Sequence, residues 1–162
     1  MAYNYSVAIK ENCAKAMGVS LPVSHKKAIL VCNFIRHKPV DKAKALLQDV
    51  IDQKKAVPYT RFNDGVGHRK GMNAGRYPID TCKHILALLE SAESNAQFKG
   101  LSTGHLVVMH ACAQRGPTTW HYGRHKRREA KRAHVEIVLE EKKSIDKEIK
   151  KSAKKVKKEV KA

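Results

Sequence analysis

Apolar positions recur along this chain with two periods, one near 3.6 residues and one of 2. After Ser24, a plausible N-cap, the stretch HKKAILVCNFIRHK places Ala28, Val31, Cys32 and Ile35 on one helical face. Pro39 disfavours helical backbone in the residue before it, so this helix is expected to end near His37 or Lys38. A second helix, VDKAKALLQDVIDQKK, presents Val40, Ala43, Leu47, Val50 and Ile51, with Lys and Asp on its other side. A third, PIDTCKHILALLESAESNAQFK, carries Cys82, Ile85, Leu86, Leu89, Ala92 and Ala96. Pro78 suits its first turn and Gly100 its end. Ala92 and Ala96 are small enough to let a neighbouring element approach closely.

The period of 2 predicts strands. YSVAIK and AMGVSLPV near the start each read as a short strand. In HLVVMHACAQ, from 105 to 114, Leu106, Val108, His110 and Cys112 share one face, and Val107, Met109, Ala111 and Ala113 the other. In AHVEIVLEE, Val135, Ile137 and Leu139 alternate with His134, Glu136 and Glu140, a half-buried pattern. The simplest connection is a hairpin with an extended arm at about 111–134. Between the second and third helices, PYTRFNDGVGHRKGMNAGRY holds four of the nine glycines. It reads as a roughly twenty-residue loop whose Tyr59, Phe62 and Tyr77 order it against a surface. The expected class is α+β: three helices on a small antiparallel sheet, with a long basic hairpin arm and a Lys-rich C-terminal helix or tail. Residues 1–141 form one domain in this reading and 142–162 a tail.

Charge changes the picture. Lys and Arg number 33 among 162 residues against 15 acidic residues, a formal net charge of +18. A domain gains no stability from such self-repulsion, so the balance points to a polyanion, with nucleic acid ahead of an anionic membrane surface. From Arg115 to His134 there are seven Lys or Arg and one Glu; from Lys142 onward there are ten Lys and three acids. The arm interleaves its cations with Trp120, His121, Tyr122 and His125, and flat aromatic and guanidinium groups stack on unpaired bases. Arginine forks also fit phosphate geometry better than lipid chemistry requires. The tail repeats Ile145, Ile149, Ala153, Val156 and Val160 on one helical stripe. That stripe is too thin for much membrane insertion. The tail reads either as a helix gained on a polyanion or as a solubilising end.

Other classes find little support. No apolar leader and no run long enough to cross a bilayer is visible, so a soluble intracellular protein is expected. Cys13, Cys32, Cys82 and Cys112 are scattered without a C-x-x-C pair, which argues for reduced core thiols rather than zinc ligands. GVGHRKG lacks the order of a phosphate-binding loop. His25, His37, His68 and His125 each sit beside a cation, and His121 lies three residues from Arg124, a setting that opposes a metal ion, while His84 reads as a surface or interface residue. No enzyme, cofactor or metal site is expected.

The ordered motifs resemble one family. They are Ser24, Lys27 and Ala28 at a helix start; Ile35, Arg36 and Val40 at a helix junction; Ser91, Ala92, Asn95 and Ala96 at a helix end; Gly116 and Pro117 at the hairpin; and His134 and Val138 in the last strand. Together they resemble the universal large-subunit ribosomal protein L-twenty-two family over about residues 20–141. The insert VPYTRFNDGVGHRKGMNAGRYP is similar to the archaeal and eukaryotic branch, numbered L-seventeen in eukaryotes.

The resemblance implies a structural constituent of the large ribosomal subunit. It would bind large-subunit rRNA, aid assembly, and line the polypeptide exit tunnel with its hairpin. Implied partners are that rRNA, neighbouring large-subunit proteins and the nascent polypeptide near the hairpin tip, without membrane insertion; the place is the cytoplasm. The rRNA-binding candidates are Lys26, Lys27, Arg36, Lys38, Arg61, His68, Arg69, Lys70 and Arg76 in the body. In the arm they are Arg115, Trp120, His121, Tyr122, Arg124, His125, Lys126, Arg127, Arg128, Lys131 and Arg132. One departure stands out: only 16 residues separate Pro117 from His134, and TTWHYG replaces part of an Arg run. The arm is therefore expected to be shorter than in bacteria or differently folded. The alternative is a free-standing basic nucleic-acid-binding protein, either DNA-compacting or an RNA chaperone, although no zipper, finger or helix-turn-helix pattern is present.

Overall fold

The computed structural model describes residues 4–8 and 11–142. The Lys-rich tail beyond residue 142 lies outside the described residues, as do the last two residues of YSVAIK. The chain order is β1 (Cys13–Leu21), α1 (His25–Ile35), α2 (Val40–Ile51), β2 (Val57–Pro58), β3 (His68–Arg69), β4 (Met72–Arg76), α3 (Ile79–Phe98), β5 (Leu106–Arg115), β6 (Thr119–Trp120), β7 (Glu129–Ala130) and β8 (Ala133–Glu141). The class is α+β, as the sequence pattern predicts. The described part of YSVAIK is not a strand; the first strand starts at Cys13 instead.

The central sheet is antiparallel with order β1-β8-β5. α1 lies over β5, α3 over β1 and β8, and α2 packs on α3. The core joins Ala28, Val31 and Ile35 of α1, Leu47 and Val50 of α2, and Ile85, Leu89, Ala92 and Ala96 of α3 to the inner face of the sheet. That inner face is Ala14 and Ala16 on β1 and Val135, Ile137 and Leu139 on β8. Ala92 and Ala96 are fully buried, which fits the close approach of α3 to the sheet.

Both edges of this sheet are covered, which blocks edge-to-edge pairing. On the β1 edge, Asn95 Nδ2 donates to Lys15 O at 2.9 Å and Lys99 Nζ to Cys13 O at 2.8 Å. On the β5 edge the α1–α2 junction pairs with the strand. His37 N donates to Val108 O at 2.8 Å, and Val108 N to Lys38 O at 2.9 Å. This pairing explains why α1 stops at Ile35, short of the expected end: His37 turns out at φ 61° to reach the strand. Lys99 caps α3, and Gly100 follows at φ 74° in the left-handed region that ends many helices.

Two expectations fail for definable reasons. A bulge between Val108 and His110 exchanges the faces of β5. The inner face is Leu106 and Val108 before it, then Ala111 and Ala113 after it. His110 is thereby turned outward, away from its expected partners Leu106 and Val108. Second, β8 is not half-buried. Glu136 is 0% exposed because the N-terminal residues lie over the outer face of the sheet. Ser6 donates to Glu136 Oε2 from its N at 3.0 Å and from its hydroxyl at 2.8 Å, and Gln114 Nε2 donates to Oε1 at 2.7 Å. Burial and the same carboxylate hold the Tyr5 phenol above its usual pKa.

Candidate nucleic-acid interface

The hairpin is built in two parts. The β5–β8 ladder runs from Leu106↔Glu141 to Arg115↔Ala133. Gly116 N then donates to Arg132 O at 3.0 Å. A Cβ at Gly116 would sit 3.2 Å from the Arg132 backbone and from His134 Nε2, so any side chain here would push the two strands apart by a few tenths of an ångström. Beyond it the pairing resumes for two residues, Thr119↔Ala130 and Trp120↔Glu129, and closes with His121 N donating to Arg128 O. A 3-10 turn over Gly123–His125 forms the tip. All residues from Thr119 to Glu129 are exposed; Trp120 is 65% exposed and Tyr122 91%. Tyr122, Arg124, His125, Lys126, Arg127 and Arg128 therefore project from a loop at the end of a short ladder.

The base of the arm is tied to the body. Ser20 N donates to His134 Nδ1 at 3.1 Å, and Arg132 Nη1 reaches Ser20 O at 3.4 Å. His134, the histidine of the last-strand motif, positions the arm through this bond. Arg115, Lys131 and Arg132 then meet Ser24, His25 and Lys26 around a cleft of about 400 Å³, with Thr118 and Glu129 completing the wall. Ser24 caps α1 without a side-chain hydrogen bond, and the first turn of α1 has no acidic residue. The free N–H groups and partial positive charge of a helix start add to the cations there. A second hollow of about 440 Å³ extends from Pro22 and Val23 to His121 at the tip.

The insert continues this face. It is no loop but a small sheet of order β2-β4-β3, with Val57↔Arg76, Pro58↔Gly75 and His68↔Ala74 in register. Short strands between close-set glycines carry too little periodicity to be legible. Lys26 Nζ sits 5.1 Å from the centre of the Phe62 ring, and the Arg61 guanidinium 5.5 Å from the same ring. Arg61 in turn lines a further cleft with Arg36. Lys26, Phe62, Arg61 and Arg36 thus join the hairpin base to the α1–α2 junction.

The other candidates are placed apart from that band or are partly committed. Lys27 is exposed on α1. His68, Arg69 and Lys70 form an exposed group at the β3–β4 reversal, where Arg69 stacks 5.3 Å from the Tyr77 ring. Arg76 is exposed, and its Nη2 reaches Gly65 O at 3.3 Å. Lys38 donates to Phe34 O, and burial, followed by repulsion from Lys42 and Lys55, lowers its pKa from the usual lysine value. Among the described residues, no arm cation makes an ion pair; the salt bridges seen are Lys44–Glu93, Lys54–Asp52 and the longer contact of His110 with Glu136.

Asn33 and Thr118 line these clefts yet were not candidates, because neither is charged and their spacing shows nothing until α1 and β5 lie side by side. Three of the four thiols are core residues as expected; Cys112 is not, because the β5 bulge turns it to the outer face, where it is partly exposed. Cys13, Cys32 and Cys82 are buried and all four are free. Burial pushes the Cys32 and Cys82 thiols up to about 12. No helix among the described residues is long and apolar enough to cross a membrane.

A family model described as "Ribosomal protein L22p/L17e" matches residues 16–140. Three curated relatives are each called "Large ribosomal subunit protein uL22". The one from Archaeoglobus fulgidus is 42% identical over 117 residues, covering 70% of this chain and 76% of its own. The one from Methanococcoides burtonii is 46% identical over 107 residues, 65% and 71% of the two chains. That from Methanosphaera stadtmanae is 40% identical over 147 residues, 86% and 96%.

Proposed function

The chain belongs to the ribosomal protein L22p/L17e family, and from that premise we propose that its cationic face and hairpin hold large-subunit rRNA. It is a structural constituent of the large ribosomal subunit in the cytoplasm, not an enzyme. Residues 1–141 act as the rRNA-binding unit and 142–162 as a basic extension of it. The observation that carries the reading is the band of cations that form no ion pair among the described residues, from the tip through Arg115, Lys131 and Arg132 to Lys26, Arg61 and Arg36. Such a band is neutralised by phosphates, with bases stacking on Trp120, Tyr122 and the Arg planes. The arm helps fold and tie rRNA during assembly, and its tip meets the nascent polypeptide in the exit tunnel beside other large-subunit proteins.

The test is sedimentation of lysate over a salt series. The protein is expected to travel with large subunits and to leave only at high salt, because each neutralised phosphate contributes a log–log salt slope of roughly −0.7 to −0.9. Recovery as free protein or on DNA would sink the reading in favour of a free-standing basic protein. A photoreactive group at position 120 is expected to label both rRNA and nascent chain; labelling of rRNA alone would remove the tunnel role and leave the rest.

A further inference from the structure

We infer that the cleft between α1 and the β5 edge is a seat for a single unstacked nucleotide of the rRNA, its phosphate held by Arg36 and Arg61. This rests on the rRNA-binding reading above and names one contact within it. The cleft has a volume of about 360 Å³, within the roughly 300–1,000 Å³ typical of small-ligand clefts. It opens where the α1–α2 junction stops covering β5. His37 and Lys38 pair with Val108, the Arg36 fork reaches one step further to Ala111 O at 2.5 Å, and the lining continues along Ala111, Cys112 and Ala113.

The chemistry of the lining is what selects the occupant. Arg36 is fixed by its Nη2 bond, yet its Nε is shielded from solvent and meets no acceptor among the described residues. A buried donor without a partner calls for an explanation, and no carboxylate reaches either Arg36 or Arg61 among the described residues. The floor is apolar, from Ile29 and Ala111, and Asn33 supplies both an amide donor and an acceptor at the rim. Two guanidinium groups over an apolar floor suit a phosphate joined to a flat base, since unpaired RNA bases stack on Arg planes and offer their edges to polar side chains. A metal ion is excluded by the like charge of the lining, and a duplex groove has no element here to receive it.

Cys112 lines the cleft and is partly exposed, whereas Cys13, Cys32 and Cys82 are buried. It therefore reports occupancy by its rate of alkylation. The full chain is mixed with deproteinised large-subunit rRNA, and the N-ethylmaleimide rate at Cys112 is compared with that of the free chain. At rRNA saturation, protection of tenfold or more is expected. The combined Arg36→Lys and Arg61→Ala variant should lose it, while the Arg124→Ala, Arg127→Ala and Arg128→Ala variant, bound at higher rRNA concentration, should keep it. If rRNA binds and Cys112 reacts as in the free chain, the seat is refuted and the rRNA reading stands. The same holds if protection persists in the Arg36/Arg61 variant, which would mean the cleft is merely covered. If no rRNA binds at all, the reading itself fails and the seat with it. Full protection by free adenosine monophosphate would assign the cleft to a soluble nucleotide instead and overturn the RNA assignment.

Discussion

The two halves of one hairpin are held by different means. From Leu106 to Arg115, β5 pairs with a β8 whose Val135, Ile137 and Leu139 are fully buried under α1 and α3. Past Gly116 the hairpin continues as β6 and β7 for two residues a side, and none of their side chains is fully buried. The body half is stabilised by burial, which is large and is not weakened by charge screening as the cation contacts are. The distal half has only a few solvent-exposed backbone bonds against the mutual repulsion of Arg124, Lys126, Arg127 and Arg128. One stretch of strand therefore serves as scaffold and the next as an exposed cationic surface, with a glycine at the boundary. A protein that keeps its repulsive charge outside its cooperative core can carry it without losing the fold.

Mutations can separate the halves. Ile137→Ala, in the body, should cost about 2–5 kcal/mol in a denaturant melt; a loss within experimental scatter would mean that the hairpin does not depend on the core. Gly116→Val, at the boundary, should cost about 1–3 kcal/mol through the crowded Arg132 backbone. Its hydrogen-exchange signature should be faster opening of Arg115 and Gly116 with the centre of β8 still protected. Replacing Arg124, Arg127 and Arg128 by Ala should leave the melt within about 0.5 kcal/mol. It should also reduce the log–log salt slope for rRNA by about 2. A lost cooperative melt in that variant would place the tip inside the core and collapse the distinction.

The smallest effect is a pH response in the body. Burial, then Arg36, lower the His110 pKa from 6.5, while Glu136 opposes them. The folded protein thus holds this proton less tightly than the unfolded chain does. The contribution is fully present above 6.5 and is lost as the unfolded state protonates at lower pH. His110→Asn should flatten the decline of stability below that point, and an unchanged pH profile would remove His110 from it.

Legibility followed the same division. The three helices and the strands β5 and β8 are legible, because each apolar stripe repeats over enough residues to exceed chance. The insert reads as a loop in sequence because two-residue strands have no period. The faces of β5 were assigned wrongly after Val108, since one inserted residue inverts a period of 2 without altering composition. Glu136 read as a solvent-facing position because its cover, Ser6, is 130 residues away in the chain. Candidate cations were found by type, but their grouping was not. Lys26 and Arg61 meet only because both approach Phe62, and the Arg36 fork is visible only once β5 lies beside it.

The sequence by itself determined what is local or additive: helix faces, the net charge of +18, and the hairpin with its cationic end. Tertiary structure alone decided which cations share a surface, that Glu136 is buried, and where a guanidinium has a donor unmet among the described residues. The physical reason is that periodicity and charge sum along the chain, whereas burial and hydrogen-bond pairing depend on distances between segments that the chain order leaves open.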